Sequence, residues 1–101
     1  MQKALPKNRT FEAIGKRLKG FRKTTGLTQK EFASRAGILD TTYNQYEQGK
    51  SQPKVEYAYA LCDTYGLTLD WIYSGDLAGL PYRIVKELDG EKTPGERINA
   101  E

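Results

Sequence analysis

The sequence predicts an all-α fold: five short helices in one domain, then a short C-terminal extension. Three observations predict it. A chain of 101 residues has room for one compact core. Apolar residues recur at spacings of three and four in successive short windows. Most of these windows open on Thr, Ser or Asp and each closes on Gly, the residue types that begin and end helices.

Residues 1–9 are polar, contain Pro6 and read as a flexible basic arm. Phe11, Ile14, Leu18 and Phe21 form the stripe of a first amphipathic helix, with Thr10 as N-cap and Gly26 as stop. Thr28 and Glu31 have the spacing of a capping box and open a second helix with Phe32, Ala33 and Ala36 inward. Gly37 ends it. Asp40 to Gln48 form a third helix with Tyr43 and Tyr46 facing inward, closed by Gly49. Ser51 is the expected cap of a fourth helix, with Pro53 in its first turn. Ala58, Leu61, Cys62 and Tyr65 give that helix its apolar side, up to Gly66. Thr68 caps a fifth through Leu69, Trp71 and Ile72, ending at Gly75. The domain thus runs over 10–76, and 77–101 is an extension. There Leu80, Ile84 and Leu88 allow one more short helix over Pro81 to Leu88, and the composition from Asp89 onward is that of a disordered tail.

Composition excludes several chemistries. There is no His, and Cys62 is the single Cys. Intrachain disulfides, Cys/His zinc sites and His-based triads therefore fall away. Cys62 is expected to be a small buried hydrophobe. No apolar run is long enough to span a bilayer and no leader opens the chain, so a soluble cytoplasmic protein is expected. No metal, cofactor or enzymatic activity is expected.

The charge is uneven. Residues 1–54 hold twelve Lys and Arg against four Asp and Glu, a balance of +8. Residues 55–101 hold four against nine, a balance of −5. A basic half suggests a polyanion partner, and composition alone leaves DNA, RNA and an anionic membrane open.

The second and third helices narrow the choice. Two short helices joined by a tight Gly-containing turn make a helix-turn-helix, whose second helix lies in the major groove. Here that helix carries Thr41, Thr42, Asn44, Gln45 and Gln48 around its inward tyrosines. Amides pair with adenine, and threonine touches the thymine methyl.

The run from Gly26 through Thr28, Gln29 and Glu31 to Ala33, then Gly37, then Tyr46-Glu47-Gln48-Gly49-Lys50 and Pro53, resembles the Cro-type phage-repressor or XRE family. The resemblance covers residues 10–75. It implies a lambda-repressor-like five-helix domain, bacterial or phage-encoded, that binds an inverted-repeat (palindromic) operator in double-stranded DNA as a homodimer and regulates transcription. It places Asp40, Thr41, Asn44 and Gln45 at base-reading positions. Gln29 takes the place of a phosphate-contacting glutamine, and Lys23, Lys30, Thr42, Lys50, Ser51, Lys54 and Arg9 are further phosphate candidates. Glu47 matches a glutamate that pairs with an arginine of the first helix, here Arg22. Where the family often has a capping Ser or Thr, this chain has Leu39 followed by Asp40. In place of a cap, Leu39 offers an apolar contact for a thymine methyl, and Asp40 either accepts from a cytosine amine or merely caps the helix and repels phosphate. The expected dimer contacts are Ile72, Tyr73, Leu80, Ile84 and Leu88, although the extension either docks on its own domain or extends the interface. Truncation after Asp76 is expected to weaken dimerisation in the second case. The leading function is a repressor. The alternative is an antitoxin-type module that binds a protein and autoregulates its operon.

Overall fold

The computed structural model describes residues 6–90. The readings placed on residues 1–5 and 91–101 lie outside it. After a short 3-10 turn, Lys7–Arg9, the chain forms α1 (Phe11–Thr25), α2 (Gln29–Arg35), α3 (Asp40–Glu47), α4 (Val55–Tyr65), α5 (Leu69–Ser74) and α6 (Tyr82–Gly90). None of these helices is long and apolar enough to cross a membrane.

Local signals set most boundaries. Thr10 and Thr68 each accept a backbone N–H of the first turn they open. At α2 the capping box closes in both directions: the Glu31 N–H donates to Thr28 Oγ1 at 3.1 Å, and the Thr28 N–H donates to Glu31 Oε1 at 2.9 Å. Thr28→Ala is expected to lower stability by about 1 kcal/mol, measured by urea unfolding. At the other end of α2, Ile38 N–H donates to Ala33 O and Gly37 N–H to Ser34 O. That Schellman pairing needs the left-handed backbone of Gly37, at φ 74°, and fixes the tight turn into α3.

The core gathers Ile14, Leu18 and Phe21 of α1 with Phe32, Tyr43, Tyr46, Leu61 and Trp71, all almost wholly buried. Phe32 stacks on Tyr65 at 4.2 Å between ring centroids and meets Phe21 edge-on.

Four expectations change. Lys7–Arg9 are not a loose arm. Asn8 Nδ2 donates to Ser74 O at 2.7 Å, and Arg17 Nη2 donates to Asn8 O and Ile72 O. The turn is thereby tied to α1 and α5. Nor does Ser51 open α4. The Pro53 carbonyl is taken by the Tyr73 hydroxyl at 2.6 Å, and extended Lys54 takes the N-cap position, so the helix starts at Val55 with no side-chain cap. Cys62 is half-buried rather than buried, and burial pushes its thiol up.

The fourth concerns the dimer contacts. Ile72 and Ile84 are fully buried and Leu80 nearly so, all within the protomer. They have no surface to offer a second copy, because α6 folds back onto α1 and completes the same core. Tyr73 and Leu88 are half-buried against that core. Truncation after Asp76 therefore removes core and is no clean test of dimerisation.

Candidate nucleic-acid interface

Three devices hold α3. Tyr43 and Tyr46 anchor its inner side. Gly15 of α1 lets the backbones approach closely: a Cβ there would lie 2.7 Å from the Glu47 carbonyl oxygen and would also meet that of Tyr46. The third is polar. Arg22 Nε donates to Glu47 Oε2 at 2.7 Å and Nη2 to Oε1 at 3.2 Å, while Nη1 donates to Leu27 O at 3.0 Å. Gln29 Nε2 donates to Glu47 Oε1 at 2.8 Å. One carboxylate thus joins the ends of α1, α2 and α3. Burial pushes the Glu47 carboxyl up, but Arg22, the Tyr43 hydroxyl and Gln29 outweigh this and hold it below the usual carboxylate range. The Tyr43 hydroxyl is fully buried beside this carboxylate; it falls short of hydrogen-bond geometry, yet it lies close enough to favour the ionised carboxylate. Burial pushes its phenol far up, so it stays neutral.

The outer side of α3 is polar and uncommitted. Asp40, Thr41, Gln45 and Gln48 are exposed, and Thr42 and Asn44 are half-exposed. Asp40, Thr41 and Asn44 share a hollow of about 580 Å³ with Arg22, Thr28, Gln29 and Lys30. The expected readers and the start of α2 therefore line one concave surface. Lys23, Lys30, Lys50, Lys54 and Arg9 are exposed, and Ser51 is half-buried. Gln29 is half-buried, with its amide tied to Glu47. Asp40 is not the cap of α3. Leu39 occupies the N-cap position, makes no side-chain cap, and Asp40 begins the helix.

Sequence reasoning missed Gly15, the Arg17 anchor and the Tyr73–Pro53 bond. Gly15 did leave a signal. Glycine inside a helix costs about 0.5–1 kcal/mol relative to alanine, so its place between Ile14 and Leu18 called for a close approach.

The helix-turn-helix family matches residues 18–72, from mid-α1 through most of α5, and takes in α2, α3 and the lysines around them. The chain belongs to that family, the Cro- and XRE-type DNA-binding proteins. Among curated proteins it is 38% identical over 55 residues to antitoxin PezA of Streptococcus pneumoniae, covering 54% of this chain and 35% of that protein. It is 31% identical over 64 residues to the HTH-type transcriptional regulator ImmR of Bacillus subtilis, covering 63% of this chain and 50% of that one. The chain thus spans between a third and a half of the length of these relatives. No solved structure matches it.

Proposed function

We propose that this helix-turn-helix protein is a sequence-specific transcriptional regulator, a repressor in its simplest mode, that binds a two-fold DNA site as a homodimer. The observation that carries this is the outer side of α3: hydroxyls and amides behind a leading Asp40, with no Lys or Arg, held by the Glu47 bonds and bordered by exposed lysines. Cations on the rim suit phosphates, and neutral donors and acceptors in the centre suit base edges. In this reading Thr41, Asn44 and Gln45 meet bases. Lys23, Lys30, Lys50 and Lys54 meet phosphates, with Arg9, Gln29, Thr42 and Ser51 at the margin. A dimer sets two copies of α3 roughly 34 Å apart in successive major grooves. Away from α3, the exposed apolar residues available to a second copy include Val55 and Tyr59 on α4, Leu77, and Tyr82 on α6.

Selection from a random duplex library at about 150 mM salt tests this. A two-fold-symmetric motif is expected for the wild type. Gln45→Ala is expected to keep the melting temperature and to lose about 10- to 100-fold in affinity for that motif. The absence of any enriched motif would contradict the proposal.

The antitoxin reading has two supports: the name of one relative, and an apolar groove on α6 bordered by Leu77, Tyr82, Val85 and Leu88. Its signature is a co-purifying protein released by Tyr82→Asp, with operator binding retained.

A further inference from the structure

Leu39 and Asp40 stand at the leading end of α3, and the fold uses neither side chain. Leu39 is 73% exposed, the most exposed large hydrophobic residue between α1 and α4. Its neighbour Ile38 is buried, so the turn already has its apolar anchor. Asp40 is exposed and has no hydrogen-bond or ion-pair partner among the described residues. Lys30 lines the same two hollows as Asp40 and does not bridge to it.

A bare carboxylate here is repelled by phosphates and gains from the fold only the weak attraction of a helix N-terminus. It becomes favourable where the groove offers it a donor. Cytosine presents an amino group to the major groove, guanine presents two acceptors, and thymine an acceptor beside a methyl. Adenine has an amino group, but its N7 acceptor sits next to it and repels a carboxylate. An exposed leucine finds its counterpart in the thymine methyl. Adjacent residues are about 3.8 Å apart along the chain, close to the base-pair rise of about 3.4 Å.

We infer that Asp40 and Leu39 select two neighbouring base pairs, Asp40 a cytosine through its amino group and Leu39 a thymine through its methyl. This rests on the docking of α3 in the major groove proposed above. Asp40 also acts as a discriminator, because its charge disfavours every site that lacks the donor.

Library selection with the full chain and two variants tests the inference. The wild type is expected to enrich cytosine about tenfold at one position of each half-site, with thymine beside it. Asp40→Asn preserves size and supplies a donor and an acceptor, the pattern that pairs with adenine. Preference at that one position is expected to move from cytosine to adenine. Leu39→Ala is expected to lose the neighbouring thymine alone. Deoxyuridine in place of that thymine removes the methyl and is expected to weaken wild-type binding about fourfold, with no effect on Leu39→Ala. A purely structural role for Asp40 would move the melting temperature and leave base preference unchanged. A motif that Asp40→Asn leaves intact overturns this inference and spares the DNA-reading proposal. A wild-type selection without any motif overturns both.

Discussion

Glu47→Ala is expected to lower unfolding stability by about 3 kcal/mol, because it removes the partner of a partly buried arginine. The Glu47 side chain is 2% exposed and that of Arg22 14%, so solvent does little to compensate. In a domain of this size the loss moves the melting temperature down by roughly 20 °C. It is a large share of the 5–15 kcal/mol that holds a typical domain together. DNA affinity falls as a consequence of unfolding, since Glu47 contacts no base in this account. Thermal denaturation with and without about 0.5 M salt measures the effect. A loss below 1 kcal/mol would mean that the pair is solvated and dispensable.

The same carboxylate makes stability depend on pH. Its folded pKa is depressed, so the unfolded chain binds more protons in the acid range. The stabilisation is complete above the ordinary carboxylate value and drains away as pH falls through the lower folded value. Glu31 is depressed as well, through its bonds to Thr28. Comparison of the wild type with Glu47→Gln cancels that contribution. The wild type is expected to lose stability more steeply than Glu47→Gln below about pH 5.

Gly15→Ala is expected to cost about 2–3 kcal/mol even though alanine favours helix. The added Cβ meets backbone oxygens of α3, which cannot rotate away as a side chain can. The helices must separate, and the recognition surface moves with α3. Gly20→Ala in the same helix is the control. Nothing lies within 4 Å of its added Cβ, so it is expected to gain about 0.5–1 kcal/mol. Equal melting temperatures for the two variants would refute the close approach of α1 and α3.

Local information was legible and long-range information was not. The caps at Thr10, Thr28 and Thr68 and the stop at Gly37 depend on residues a few positions apart, and each formed. The Arg22–Glu47 pairing spans 25 positions and was reached only through the family resemblance. Gly15 lies against residues 46 and 47, a proximity no local pattern encodes. For the extension, the spacing of Leu80, Ile84 and Leu88 announces an apolar stripe but not what covers it. Tertiary packing decides that: α6 lies against α1, and Leu80 and Ile84 are buried in the common core. At Asp40, the choice between a cap and a free carboxylate turned on Leu39 occupying the N-cap position.

In the proposed function α3 distinguishes one DNA sequence from others. The most direct test is the affinity of the wild type and Gln45→Ala for the selected duplex and a scrambled one, both at about 150 mM salt. The wild type is expected to prefer the selected duplex by about a thousandfold or more. Gln45→Ala is expected to lose most of that preference while binding the scrambled duplex as before. Equal affinity of the wild type for the two duplexes would contradict the claim and leave a binder that holds DNA only through its phosphates.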